Sequence, residues 1–245
     1  VPVIHTLPDI PRSYTAICEW AACMVYIAVL YRRVPLRRSI IVGAIGLPAI
    51  VAVQYFDGSM PIWFWIVGML LAFGCMYLTI LFGAGTGKRE GLYITARAFV
   101  LAELVASLHW QIVAFIGTHD AQATSYGVQA IVMLIVIYAL CFGLAWLVER
   151  GNFSQTTPTL PTASAATATV AITIVTFAMS NLSFVSTNTP FSGSMGQEIF
   201  YIRTLVDFCG FAILYAQQEQ ARRIEASAEI ASINAQLESQ HQEYL

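Results

Sequence analysis

The sequence runs to 245 residues, 58% hydrophobic and 11% charged, with a formal net charge of -2 and a mean hydropathy of +0.68. A soluble domain carries about 25% charged residues, and 12 basic plus 14 acidic side chains are too few to clothe a water-facing surface on a chain this long. A water-soluble fold is excluded on that ground, the charge balance leaves no basic footprint for nucleic acid, and the lipid bilayer is the expected surrounding.

Before the first apolar run there is no basic n-region, and after it comes an Arg cluster instead of a small-residue cleavage site, so no cleavable signal peptide is expected. The chain begins on Val1, which fits either a fragment or an unusual start codon. A bilayer core takes about 20 apolar residues per helix, and seven runs meet that need. The first, residues 14–31, contains Glu19 and is followed by Arg32, Arg33, Arg37 and Arg38. The second, 40–56, has Pro48 beside Gly43 and Gly46, which predicts a kink whose freed backbone groups are satisfied by neighbouring helices. The third, 62–82, opens on Trp63 and Trp65, placed as interfacial anchors, and leads to Lys88 and Arg89.

The fourth run, 93–116, holds Arg97, Glu103 and His109, and the fifth, 127–148, closes on Trp146 ahead of Arg150. The sixth, 163–184, is rich in Ala, Thr and Ser, a composition for close helix packing that places it inside the bundle. Residues 199–216 form the seventh, with Arg203 and Asp207. Trp20 and Trp110 fit either an interface or the bundle interior. All five cysteines lie in apolar runs without the Cys and His pairing of a zinc site, and are read as small buried hydrophobes; no metal or cofactor is expected here.

Lys and Arg near the membrane stay on the cytoplasmic side. Nine of the twelve basic residues follow the odd-numbered spans, whereas the alternate loops hold Asp57, His119, Asp120 and Glu198. With seven spans this places the N-terminus outside a cell membrane and the C-terminus in the cytoplasm. The fold expected is therefore all-α: a seven-helix transmembrane sensor domain over 1–216, then a cytoplasmic signalling helix over 217–245.

That tail has no Gly or Pro and is dominated by good helix formers, so a helix continuous with the seventh span is expected, projecting about 43 Å at 1.5 Å per residue. Ile230 and Leu237 at a, with Ala226 and Ile233 at d, make a short seam suited to a dimeric coiled coil, flanked by Arg223, Gln240 and Tyr244. A homodimer through this helix is the expected assembly.

An ionisable group in hydrocarbon costs a few kcal/mol even by insertion scales, so each needs a partner or a wet cavity. Glu19, His109 and Arg203 lie about 8 to 10 Å below the outer surface, with Glu103 and Asp207 nearer the middle. These five are the candidate ligand-binding or switch residues, expected as a cluster between the first, fourth and seventh helices. Arg203 and Asp207 are spaced for an intrahelical ion pair, Glu103, Ser107 and Trp110 share one stripe, and Arg97 is expected to snorkel to the headgroups.

Three stretches, ARAFVLAELVASLHWQ (96–111), SNLSFVSTNTPFSG (180–193) and IFYIRTLVDFCGFAILYAQQEQARR (199–223), resemble the membrane sensor region of GHKL-type receptor histidine kinases of Gram-positive bacteria, relatives of the peptide-pheromone receptors. The resemblance implies an input bundle followed, in the parent protein, by a helix bearing a phosphoacceptor His and a domain binding ATP and Mg, which acts on a response regulator. Neither part lies in these residues: the family pattern sets Asp or Glu after the acceptor, but Gln242 follows His241, and the His119–Asp120 pair falls in an outside loop. GAGTGKRE (83–90) lacks Walker A spacing and reads as a basic turn. No catalytic residue is expected here. The short outside loops suit an extracellular peptide or a lipid-accessible signal.

A retinal protein needs a Lys in its last span, and the only lysine is Lys88. The alternative function is a secondary transporter or permease, which uses intramembrane ion pairs and broken helices at midplane sites; against it stand the lack of an internal repeat and the long polar tail.

Overall fold

A computed structural model describes residues 6–7, 10–59, 65–119, 128–153, 163–185 and 195–243. Seven helices account for most of them: α1 Arg12–Val29, α2 Leu36–Ser59, α3 Trp65–Gly83, α4 Lys88–His119, α5 Val128–Glu149, α6 Ala163–Val185 and α7 Gln197–Glu243. Each matches one apolar run. Two short strands, β1 Thr6–Leu7 and β2 Met195–Gly196, pair antiparallel and tie the N-terminal segment to the start of α7.

Among the described residues four helical stretches are long and apolar enough to cross a membrane unaided: Leu36–Asp57, Ile66–Gly83, Lys88–Val113 and Ile131–Glu149. A membrane protein is what these helices make. Among the described residues the apolar stretch of α6 is Ala165–Ser180, while α1 carries Arg12 and Glu19, and α7 carries Arg203 and Asp207 ahead of its polar tail. Most of these polar groups lie inside the bundle: Glu19, Arg203 and Asp207 are buried, as are Glu103, Arg97 and His109, while Arg12 is half-buried.

The hub is α4, which packs against α1, α3, α5, α6 and α7. Its apolar stretch is 83% buried, against 28%, 39% and 22% for those of α2, α3 and α5. The latter three therefore turn Ile45, Leu70, Ile135 and Leu144 outward, a surface that water would not tolerate but lipid would. Contrary to the expectation from its composition, α6 is peripheral. Its Thr169, Thr176 and Ser180 face α4 and α7, while Val170, Ile174 and Val175 are exposed. The small residues serve one stripe of contact, not burial on all sides.

Trp20 fills the bundle, its indole N–H donating to the Gly43 carbonyl at 2.9 Å. Trp146 is exposed beneath Arg150, whose guanidinium lies 5.3 Å from the ring centre, as befits an interfacial anchor. Trp63, Asp120 and Tyr244 lie outside the described residues. Within the 83–90 segment, residues 84–87 form a tight turn between α3 and α4 with Gly85 at φ 63, a conformation that favours glycine.

The arginine-rich turns and the tail share one end of the molecule. Arg33, after α1, makes a two-pronged ion pair at 2.9 Å with Glu90 in the first turn of α4, and Gln218 of α7 donates to the Asn152 carbonyl after α5 at 3.0 Å. Beyond that point α7 continues alone, exposed from Arg222 to His241. Its 47 residues span about 70 Å at 1.5 Å per residue.

Midway along its packed part, Gly210 brings α7 against α6 and α4: a β-carbon there would stand 2.8 Å from Ile172 Cγ2 and 3.7 Å from Val100 Cγ1. Gly210→Leu should push α7 off this face and lower the melting temperature of the detergent-solubilised protein by several degrees, with overpacking costing about 1–3 kcal/mol. An unchanged melt would show that α7 does not approach its neighbours here.

Candidate functional site

Two buried polar layers lie on α4 about two turns apart, and both reach α7. The layer farther from the tail, termed the outer layer, is built on Glu103. Its Oε2 pairs with Arg203 Nη2 of α7 and accepts the Ser180 hydroxyl of α6. One turn further along α4, the Ser107 hydroxyl donates to Asp207 Oδ2 at 3.3 Å. An acid on the hub thus engages both helices packed on that side of it.

The layer nearer the tail, termed the inner layer, is built on Arg97, which is 1% exposed. Its Nη2 meets Glu149 Oε1 at the end of α5 at 2.5 Å, and its Nη1 donates to the Leu214 carbonyl of α7 at 2.8 Å. Tyr26 of α1 donates to the same Glu149 oxygen at 3.2 Å, and the Asn152 side-chain amide reaches the other at 3.3 Å. The Tyr93 hydroxyl, 3.4 Å from Arg97 Nη1, donates to Gln218 Oε1 at 2.9 Å. The rings of Tyr93 and Phe153 flank the guanidinium at 5.7 and 5.6 Å. Side chains of α1, α4, α5 and α7 and the backbone of α7 therefore converge where α7 leaves the bundle.

Of the five expected site residues, the structure brings together Glu103, Arg203 and Asp207. Their companions come from α6, where the sequence pointed to α1. The chief neighbours of α1 are α2 to α5 and those of α7 are α4 and α6, so α4 stands between the two. Glu19 instead accepts the Gln54 amide of α2 at 2.8 Å. His109 sits edge-on between Tyr14 and Tyr138, with ring centres 5.5 and 5.3 Å away. Arg203, spaced for a pair within its own helix, extends across to α4, because Glu103 lies opposite it on the antiparallel hub.

Arg97 does not snorkel to the headgroups. Glu149 gives it a counter-charge at its own depth, and six residues of helix separate it from Gly91, about 9 Å. Sequence reasoning missed Glu149, Tyr26, Tyr93, Asn152 and Gln218. One signal was available: Glu149 is an acid at the inner end of an apolar span, close to the depth of an otherwise unmatched Arg97.

Several buried acceptors keep no hydrogen-bond partner among the described residues: Glu19 Oε2, Gln54 Oε1, Asp57 Oδ1 and Asp207 Oδ1. Neither His109 nitrogen has one. Asp57, placed in an outside loop by the sequence, is buried in the last turn of α2 against Gly68. A buried polar atom without a partner costs about 1–3 kcal/mol, and such atoms occur in both halves: Glu19 Oε2, Asp57 Oδ1 and Asp207 Oδ1 away from the tail, and Arg97 Nε, Thr86 Oγ1 and Gln217 Oε1 toward it. Among the described residues no group of His, Cys, Asp and Glu could hold a metal ion. The chain matches no family model, no curated protein and no solved structure.

Proposed function

We propose that the chain is the membrane input region of a two-component sensor histidine kinase of the GHKL type. In this reading all seven helices span the cell membrane, the N-terminus is outside and the tail lies in the cytoplasm. Dimeric kinase helices, an ATP- and Mg-binding domain and a response regulator act downstream of Leu245. The observation that supports it is the continuity of α7: one unbroken helix passes the outer layer at Arg203 and Asp207, the inner layer at Leu214 and Gln218, and then stands free.

A helix so placed transmits position. A peptide or lipid-accessible signal acts on the outer half, on Glu19, Glu103, His109, Arg203 and Asp207, of which Glu19, His109 and Asp207 hold buried polar atoms without a hydrogen-bond partner among the described residues. It shifts α7 only if it binds one packing better than the other by a finite free energy. Movement of α7 along or about its axis must break Arg97 to Leu214 and Tyr93 to Gln218, and those bonds hold the resting arrangement. The tail carries the change to a second copy, because Ile230, Ile233 and Leu237 are all exposed in the single chain and a two-stranded seam covers them.

Cysteine placed singly along the tail tests this in native membranes. Ile230→Cys and Ile233→Cys should form disulfides between copies quickly, and Ala228→Cys and Ala235→Cys, on the far side of the heptad, slowly. Cross-linking with no heptad period would remove the dimeric rod. Solute uptake into vesicles holding only this chain would favour the transporter instead, since a sensor input region moves no solute.

A further inference from the structure

A groove of about 600 Å³ opens between α3, α4 and α6 at the tail end of the bundle. Tyr93 and Ala96 of α4 form its floor, Phe73 of α3 one wall, and Val170 and Ile174 of α6 the other. The hydroxyls of Thr169 and Thr173, which also line it, donate to the Ala165 and Thr169 carbonyls of their own helix, both at 2.7 Å. The walls therefore offer an occupant almost nothing but apolar surface. Toward the middle of the bundle the groove is closed by a row of rings, Phe73 to Phe99 at 5.8 Å and Phe99 to Phe177 at 6.4 Å. At its mouth stands Arg89, exposed and without a hydrogen bond or ion pair among the described residues.

We propose that this groove holds an acyl chain of an anionic glycerophospholipid, with its phosphate on the Arg89 guanidinium. Three features select that occupant. The groove lies beside stretches long and apolar enough to cross a membrane, Ile66–Gly83 and Lys88–Val113, so a bilayer lipid reaches it sideways without passing through water. Its length from Arg89 to Ala96 is about 10 Å, enough for part of a chain and capped by the ring row. Its one charge is a cation at the edge of the apolar zone, where an arginine near an anionic leaflet gains about 1 kcal/mol from the headgroups. The groove is coupled to the inner layer through its floor: the Tyr93 ring lines it while the Tyr93 hydroxyl holds Gln218. A seated chain therefore braces Tyr93 against α7 and favours the arrangement in which the base of α7 is held. The inference needs a bilayer around the helices and does not depend on the sensor reading.

Native mass spectrometry of the purified chain, released from micelles carrying equal phosphatidylglycerol and phosphatidylcholine, tests it. One phosphatidylglycerol should stay bound, with a preference of about fivefold over phosphatidylcholine. Arg89→Ala should abolish that preference and Lys88→Ala should leave it in place. Val170→Trp, which fills the groove from the exposed side of α6, should remove retention of both lipids while Arg89 remains. Equal retention of the two lipids by the wild type, a preference that survives Arg89→Ala, equal losses from Arg89→Ala and Lys88→Ala, or undiminished binding to Val170→Trp would each overturn the proposal. The tail cross-linking pattern is scored separately, so failure of the lipid site and failure of the sensor reading are distinguishable.

Discussion

Arg97→Met should be among the most destabilising single substitutions in the bundle, costing about 3–5 kcal/mol, because it leaves the Glu149 carboxylate buried with only Tyr26 and Asn152 as neutral donors. It also strips the Leu214 carbonyl of the bond from Arg97 Nη1. Glu149→Leu should cost a similar amount by stranding the guanidinium. The double variant Arg97→Met/Glu149→Leu should recover most of the loss, since replacing both partners with apolar groups of similar volume is often neutral or better. Thermal melts of the detergent-solubilised protein give the three values, and the cycle gives the coupling. If the single variants melt with the wild type, the two groups do not share a buried site. The double variant also separates stability from control. It restores the fold but removes the Arg97 bond to Leu214 while Tyr93 and Asn152 still engage Gln218, so tail cross-linking through Ile233→Cys should shift from its resting rate at a nearly unchanged melting temperature.

How far the sequence alone reaches is clear from particular residues. The positions of the helices follow from apolar runs broken by turns, a signal each segment carries within itself. The continuity of α7 follows from a tail without Gly or Pro. What the sequence does not carry is which faces meet. Arg203 has Asp207 four residues away on its own helix, so local spacing points to a partner within reach, yet the partner used is Glu103, 100 residues away. Arg97 near a span end has a general escape to the headgroups, and only the placement of the end of α5 beside it shows that Glu149 is nearer. The Ala- and Thr-rich α6 misleads for a related reason: composition reports that a helix packs closely somewhere, not around how much of its circumference. Depth along a helix is computable from the rise per residue, but azimuth between helices requires the assembled bundle.

Removal of Arg203 should have the second large effect, on position more than on stability. In Arg203→Leu the Glu103 carboxylate keeps the Ser180 hydroxyl but loses its counter-charge at the contact between α4, α6 and α7, a change of about 3–5 kcal/mol. The apolar contacts of α4 with its other neighbours remain, so the fold should survive with a lowered melting temperature while α7 loses the contact that fixes its outer half. The expected result is a changed rate of Ile233→Cys cross-linking in resting membranes, toward whatever value a signal produces in the wild type. The swapped pair Glu103→Arg/Arg203→Glu should return the resting rate, because the attraction between α4 and α7 depends on opposite charge and not on which helix carries the acid. Ser180→Ala, which takes away one neutral donor, should cost about 1 kcal/mol and leave the cross-linking rate near its resting value. Unchanged cross-linking in Arg203→Leu at unchanged expression would reduce Glu103 and Arg203 to a pair that fixes helix register, and the signal would then have to enter through Glu19 or His109 on the opposite side of α4.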